Sequence, residues 1–153
     1  MLASLLLACF LLDPQPASDP VVQVEATDAE MNAAIAQARA TLPDFWTALG
    51  QHDATTDMFA LKVAFPYGLD NHEHIWCQEV SRASTGISAT VGNAPEAPVG
   101  VKLGDRVTVN EADVSDWMYT RDGKIIGAYT LRVLLAIEPS PELDSMLAPP
   151  DAR

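Results

Sequence analysis

The sequence predicts a single α+β domain, in which an N-terminal amphipathic helix packs on a mainly antiparallel, strongly bent β-sheet. Two observations predict this class: an apolar stripe with helical spacing comes first, and several short stretches with alternating apolar residues follow it. The chain has 153 residues, enough for one hydrophobic core, and 48% of them are hydrophobic, as in globular rather than disordered proteins. We expect this domain to span residues 27–138.

The helix is predicted to begin near Thr27, because Thr27 and Glu30 have the spacing of a capping box. Apolar residues then recur in steps of three and four, at Met31, Ile35, Ala38, Leu42, Phe45 and Leu49. Pro43 lies inside this stripe and has no backbone N–H to donate. The sequence therefore predicts one helix to about Thr41 and a short second helix from Pro43 to Gly50.

The strands are predicted from alternation between apolar and polar residues. The clearest example is 59–65, and the next strand should pair with it in antiparallel fashion across a turn at 66–71. The further predicted strands are 72–82, 86–91 and 106–109, with a hairpin formed by 116–120 and 124–126. Residues 129–137 fit either a strand or a helix. We expect a loop at 92–98 and, because it contains four prolines, a disordered tail at 139–153.

The N-terminus carries an almost unbroken apolar run from Leu2 to Leu12. This run has the length of a signal-peptide core and is too short to span a bilayer. We therefore expect residues 1–18 to direct export, to the periplasm of a bacterium, and residues 19–26 to form a linker. Cys9 follows Leu6-Leu7-Ala8, as in the motif at which bacterial lipoproteins are cut and lipidated. Because apolar residues continue beyond Cys9, a soluble exported protein is favoured over a lipid-anchored one.

The charge of the chain restricts its partners. The formal net charge is −12, and no run of lysine or arginine is present, so nucleic acids and anionic membrane surfaces are poor candidates. The sequence also contains no serine elbow, phosphate-binding loop, dinucleotide turn or metalloprotease helix. We therefore predict no cofactor and no transmembrane span in the mature chain. The expected partner is a protein or a small ligand of unknown identity.

The densest group of chemically active residues lies at 72–77. On a strand, His72, His74 and Trp76 would share one face, while Glu73 and Cys77 would lie on the other. Two histidines with this spacing can share a metal ion, but a zinc site needs further ligands that the spacing does not identify. The alternative is that both histidines are polar groups beside Trp76. A nucleophilic role of Cys77 is disfavoured, because a cysteine on an apolar strand face is more often a small core residue.

A second group lies at 113–119. Trp117 and Tyr119 fall on one strand face and Asp116 on the other. Aromatic residues in this arrangement usually close a core, although they could also form the walls of a groove with acidic residues at its rim. Arg132 is a lone cation in an apolar run, and burial would require a carboxylate partner, for which Glu73 and Asp116 are the candidates.

Several of these segments together resemble the YegJ-like family of bacterial domains of unknown function. The resemblance covers residues 28–135, about two thirds of the chain. The matching pieces are Met31, Ala38-Arg39, Phe45, Lys62-Val63, Glu73-His74-Ile75-Trp76, Gly104-Asp105, Asp116-Trp117-Met118-Tyr119 and Gly127-Ala128-Tyr129-Thr130-Leu131-Arg132. Ala128 stands where the family usually has a second glycine. The resemblance implies a small α+β domain and carries no established activity, cofactor or partner.

The favoured hypothesis is a non-catalytic binding or interaction domain of the bacterial cell envelope. Its candidate binding residues are Glu73, His74, Trp76, Asp116, Trp117, Tyr119 and Arg132. One alternative is a metal-assisted hydrolase, with His72 and His74 as ligands and Glu73 as the acid or base. The other is a purely structural protein, in which these residues only close the core.

Overall fold

The structure, a computed structural model, describes residues 29–152. One long helix comes first, a sheet of six strands follows, and two short helices end the described part of the chain. The helices are α1 (Ala29–Gln51), α2 (Tyr129–Ile137) and α3 (Pro141–Met146), and a 3₁₀ turn spans Glu111–Asp113. The strands are β1 (Thr56–Tyr67), β2 (Asn71–Ala83), β3 (Gly86–Val91), β4 (Arg106–Val109), β5 (Val114–Arg121) and β6 (Lys124–Gly127).

The six strands form one open sheet in the order β4-β3-β2-β1-β5-β6, and every neighbouring pair is antiparallel. Helix α1 packs on one face of this sheet, which we call the inner face. The α+β class and the antiparallel sheet predicted from the sequence are therefore confirmed. The predicted hairpin is also present: Asp122 and Gly123 both have positive φ angles, as the tight turns between paired strands require.

The inner face buries a continuous apolar core between α1 and the sheet. The predicted stripe of α1 supplies much of it, since Met31, Ala38, Leu42 and Phe45 are buried. The strands contribute alternate residues, as the pleat of a strand requires. These include Phe59, Leu61, Val63, Ile75, Cys77, Ile87, Ala89, Val91, Trp117, Tyr119 and Ile126. The capping box predicted at Thr27 lies partly outside the described residues.

The prediction of two helices separated at Pro43 is wrong, because α1 continues through this residue. Leu42 and Phe45, on either side of the proline, are both buried in the same core, so packing holds the two halves in line. The preceding turn also receives a bond from the sheet: the indole N–H of Trp117 donates to the carbonyl of Ala38 at 3.0 Å. Tertiary contacts here override the helix-breaking tendency of proline.

Residues 129–137, which fitted a strand or a helix, form helix α2. It begins directly after β6, where Ala128 adopts the left-handed conformation with φ 53° and ψ 47°. Alanine thus holds a backbone shape here that glycine adopts more easily. The preceding Gly127 also has a positive φ of 78°. The two residues together turn the chain from β6 back along β5.

The C-terminal segment differs from the predicted disordered tail. Ser140 caps helix α3 by accepting a hydrogen bond from the N–H of Leu143, and Pro141 occupies the first turn, where proline is tolerated. Leu147 then forms a bridge with Ile125 on the edge strand β6, and Ala148 is buried. Pro141 thus begins a helix, and Leu147 covers the edge of the sheet at β6. No helix among residues 29–152 is long and apolar enough to cross a membrane.

Candidate functional site

An irregularity in the pairing of β1 with β5 shapes the opposite side of the sheet, which we call the outer face. Lys62 lies opposite Asp116, but the next residue of β1, Val63, lies opposite Val114. Ser115 is therefore an extra residue in β5, and such a bulge re-aims the side chains around it. Lys62 is on the outer face, because its neighbours in β1 point into the inner core.

Asp116 is completely buried, and its carboxylate accepts four hydrogen bonds. Oδ1 accepts from the N–H groups of Trp117 (2.8 Å) and Tyr129 (3.1 Å). Oδ2 accepts from the N–H (2.8 Å) and the hydroxyl (2.6 Å) of Thr130. Ala128 has no side chain that could cap α2, so Asp116 caps this helix from a neighbouring strand. Burial raises the pKa of Asp116, while the hydrogen bonds and the charge of Lys62 act in the opposite direction.

Lys62 is linked to this buried carboxylate through Thr130 and lies next to Trp76 on the outer face. Its ammonium donates to the hydroxyl of Thr130 at 3.1 Å and lies 5.7 Å from the centre of the Trp76 ring. Burial lowers the pKa of Lys62, and the charge of Asp116 partly offsets that effect. The indole of Trp76 is half-buried. A cation thus lies beneath an accessible aromatic ring, with its nearest carboxylate out of contact with solvent.

His74 lies beside this pair and is held by Ser115. The ring nitrogen Nδ1 is 2.8 Å from the hydroxyl oxygen of Ser115, and the same hydroxyl donates to the carbonyl of Lys62 at 3.2 Å. A serine hydroxyl has one proton, so we assign the ring hydrogen of His74 to Nδ1, which leaves Nε2 as an acceptor. Burial, followed by the charges of Lys62, His72 and Arg39, lowers the pKa of His74 to about 4. His74 is therefore neutral near pH 7, even though the residue as a whole is exposed to solvent.

These residues form one connected group, which we call the Lys62 cluster: Lys62, His74, Trp76, Ser115, Asp116 and Thr130. It draws on β1, β2, β5 and the first turn of α2. Sequence reasoning identified His74, Trp76 and Asp116 but missed the other three. Lys62 and Thr130 appeared only within segments of the family resemblance and had no role assigned to them, and no sequence signal revealed the bulge at Ser115.

The other predicted binding residues lie elsewhere. Trp117 and Tyr119 are in the inner core, where their rings are stacked with centres 6.0 Å apart. This agrees with the more frequent role of such aromatic residues in a core. The carboxylate of Glu73 accepts from the N–H groups of Glu96 (2.9 Å) and Ala97 (2.8 Å), so it fixes the loop at 92–98. These three residues therefore do not share a surface with His74 and Trp76.

Arg132 pairs with neither of the carboxylates considered from the sequence. Its guanidinium donates to the carbonyl oxygens of Gly127 (3.1 Å) and Ala148 (2.9 Å), and it therefore ties α2 to the C-terminal segment. A guanidinium has five N–H donors, so backbone carbonyls at the edge of the fold can satisfy it without a buried ion pair. Burial lowers the pKa of Arg132, while nearby Tyr129 and Asp116 raise it.

The structure also locates the two groups considered for catalysis. Cys77 is completely buried, and burial raises the pKa of its thiol to about 11, which disfavours the reactive thiolate. His72 and His74 share the outer face, as predicted. Within residues 29–152, however, no set of three or more histidine, cysteine, aspartate or glutamate residues could hold a metal ion. The third ligand that the hydrolase alternative requires is not supplied by this part of the chain.

Two open clefts lie outside the Lys62 cluster. One, of about 440 Å³, is bounded by α2 and the C-terminal segment. Its lining is largely apolar and includes Leu135, Ala136, Leu147 and Pro150. The other, of about 300 Å³, lies beside the end of α1 and is lined by polar residues that include Asp44, Gln51 and Arg121. Neither cleft contains His74 or Trp76.

Comparison with known proteins identifies relatives of this chain. A family model described as "Uncharacterized protein conserved in bacteria (DUF2314)" matches residues 28–141. The chain is 32% identical over 134 residues to the uncharacterized protein YegJ of Escherichia coli (strain K12), covering 86% of this chain and 84% of that protein. It is 29% identical over 121 residues to a putative ankyrin repeat protein of Neisseria meningitidis serogroup B, covering 74% of this chain and 48% of that protein. No solved structure matches.

Proposed function

This chain belongs to the bacterial family of uncharacterized, YegJ-like proteins, and we propose that it is a non-catalytic binding domain of the cell envelope. The binding surface is the outer face of the sheet at His74 and Trp76. One observation carries this proposal: a half-buried indole and a partly open imidazole lie over a lysine–aspartate network that β1, β2, β5 and α2 hold in place.

The energetics of the network support a role beyond folding. Burial of Lys62 and Asp116 removes two ionisable groups from water, and well-packed apolar residues often provide equal or greater stability at such positions. Costs of this kind are expected where a sequence serves function as well as folding. The hydrogen bonds fix the side chains around Trp76 before any partner arrives, which reduces the entropy lost on binding.

A binding role is favoured over catalysis by the burial of the potential nucleophiles. Ser115 is completely inaccessible, and Thr130 is 2% exposed. Both hydroxyls are occupied by hydrogen bonds within the domain. On the outer face, a partner can instead reach the exposed His72 and His74 and the half-buried Trp76.

The envelope location is proposed from the apolar run at residues 2–12, which fits the core of an export signal. Fractionation of the producing bacterium and the intact mass of the mature chain test this part. We expect a chain shortened near residue 18 in the periplasmic fraction. A lipid-modified Cys9 would be detected as an added mass on a shorter chain, and an unprocessed chain in the cytoplasm would contradict the location.

The binding surface can be tested by photo-crosslinking in the producing bacterium. A photoreactive amino acid replaces the exposed His72 or Gln78, which flank Trp76 on the outer face, or the exposed Asp122 in the β5–β6 turn as a control. We expect a specific adduct when the photoreactive residue replaces His72 or Gln78, and none when it replaces Asp122. The Trp76→Ala substitution should abolish the adduct formed at His72 or Gln78. Equal labelling at all three positions would contradict the proposed surface. A reproducible turnover activity lost on substitution of His74 would contradict a non-catalytic role.

A further inference from the structure

The charge around the Lys62 cluster is opposite to that of the whole chain. The chain has nine lysine and arginine residues against 21 aspartates and glutamates, and three histidines. The charges of Lys62 on β1, His72 on β2 and Arg39 on α1 nevertheless all act on His74 and lower its pKa. The guanidinium of Arg39 is held by the carbonyl oxygens of Val114 (3.0 Å) and Ala112 (3.3 Å), next to Ser115.

Among residues 29–152, no surface carboxylate is paired directly with these basic side chains. Within the described part of the chain, Arg39, Lys62 and His74 form no direct ion pair with an acidic side chain. Asp116 reaches Lys62 only through the hydroxyl of Thr130, and its carboxylate is completely buried. Within the part of the chain that the structure describes, the ammonium of Lys62 makes one hydrogen bond, to Thr130, whereas such a group has three donors. Donors therefore remain for an anion that approaches from the outer face.

We propose that Lys62 and Trp76 bind a small ligand that carries a carboxylate beside a flat apolar group. The lysine supplies a charged donor for the carboxylate, and the half-buried indole supplies a surface on which a ring can stack. Nε2 of His74, which we assign as unprotonated, is an acceptor at the edge of the same site. This inference rests on the proposed function, because it names the ligand class for the same surface.

A singly charged ligand fits better than a polyanion. Among the described residues, Lys62 is the cation that lies over the ring of Trp76, whereas the guanidinium of Arg39 is bonded to the carbonyls of Val114 and Ala112 and His74 is neutral near pH 7. The net charge of −12 repels nucleic acids and anionic membranes at longer range, whereas a small monoanion is affected far less. The indole of Trp76 would contribute nothing to a bare inorganic anion.

The test is an NMR titration of the full chain with two probes of nearly the same shape, benzoate and its uncharged analogue benzamide. The readouts are the indole N–H of Trp76, identified by comparison with Trp76→Phe, and the amides of β1 and β2. We expect benzoate to bind Trp76 about ten-fold more tightly than benzamide, the size of effect that one charged hydrogen bond contributes. Acetate and inorganic phosphate should bind more weakly than benzoate, because neither can stack on the indole.

Lys62→Met should remove the preference for benzoate, and the matched control Lys102→Met, which removes an exposed lysine elsewhere, should retain it. Equal affinities of benzoate and benzamide in the unaltered chain would overturn the carboxylate assignment and leave a binding domain at this surface intact. Failure of both probes to shift Trp76 would overturn the ligand class, and phosphate binding tighter than benzoate would do the same. Absence of any face-specific adduct in the crosslinking experiment would instead overturn the binding domain itself.

Discussion

Two tryptophans near the middle of the sheet show how differently its faces are built. Trp117 lies opposite Leu61 on the inner face, is completely buried, and donates its indole N–H to α1. Trp76 lies opposite Lys62 on the outer face and is half-buried against an ammonium group. The two positions on β1 are consecutive, yet one organises an aromatic core and the other a network of ionisable groups.

The difference indicates that the two faces have different purposes. On the inner face, the ring centres are 5.9 Å apart for Phe45 and Trp117, 6.0 Å for Trp117 and Tyr119, and 5.1 Å for Tyr119 and Phe59. Burial of such aromatic surface drives folding. On the outer face, Lys62 and Asp116 are positioned at a cost in desolvation. We therefore expect substitutions on the inner face to affect mainly stability, and those at Trp76 and Lys62 to affect mainly binding.

The most direct test of the comparison is alanine substitution of each tryptophan. Trp117→Ala should lower the free energy of unfolding by about 3–5 kcal/mol, because it leaves a large cavity in a closed core. Trp76→Ala should lower it by only about 1–2 kcal/mol, since the ring is half-buried and its site can fill with water. Urea unfolding of both variants measures the difference. Equal losses would mean that the outer face is as much a part of the core as the inner face.

Substitution of Gly127 tests how closely the backbone packs against Trp117 at the inner core. A Cβ atom at this position would lie 2.5 Å from the carbonyl oxygen of Trp117 and 2.6 Å from its ring, at a φ of +78°. Gly127→Ala should therefore cost about 3 kcal/mol through steric overlap and left-handed strain. The adjacent Ala128→Gly is the matched control, because it relieves left-handed strain instead. We expect that control to leave stability unchanged or to raise it by up to about 1 kcal/mol.

Asp116 connects the two faces, since it caps α2 while it supports Lys62. Asp116→Asn places an amide group among four donors, so at least one buried N–H loses its acceptor, and we expect a loss of about 2 kcal/mol. Hydrogen exchange at Thr130 should accelerate more than exchange in β3, because the first turn of α2 loses its cap. The exposed Asp113→Asn serves as the control and should change stability by less than about 0.5 kcal/mol. Equal exchange at Thr130 in both variants would contradict the capping role.

Local patterns in the sequence were sufficient to predict most of the fold. Alternation located β1, because one face of that strand is buried, and the turn at Asp122-Gly123 located the hairpin. The continuation of α1 through Pro43 could not be predicted, since the packing that holds it comes from residues far away in sequence. The ordered C-terminal segment was missed for the same reason: its partners are Ile125 and Arg132, and composition alone suggested disorder.

The candidate site was less predictable than the fold. Alternation placed His72, His74 and Trp76 together correctly and favoured a core position for Trp117, but it left a groove at Trp117 and Tyr119 open as an alternative. The bulge at Ser115 has no local signature, and without it the links between His74, Lys62 and Asp116 are not apparent. Such contacts depend on strand register, which is a property of the assembled sheet.

The smallest expected effect concerns the pH dependence of stability and tests the outer face alone. The pKa of His74 is lowered to about 4 in the folded protein, from 6.5 for a free side chain. Between these values the unfolded chain binds more protons at this position than the folded one, so stability rises with pH across the window and falls as the pH is lowered from 6.5 to 4.

His74→Gln removes this titrating group. In that window, the slope of the unfolding free energy against pH should fall by an amount that corresponds to less than about one bound proton. Chemical denaturation at a series of pH values measures the slope, and His52→Gln, which removes an exposed histidine outside the Lys62 cluster, controls for composition. Lys62→Met should reduce the slope in part, because one of the charges that disfavour imidazolium is then absent. An unchanged slope in His74→Gln would mean that the imidazole is not held neutral by its surroundings, and that the outer face is less rigidly organised than its hydrogen bonds indicate.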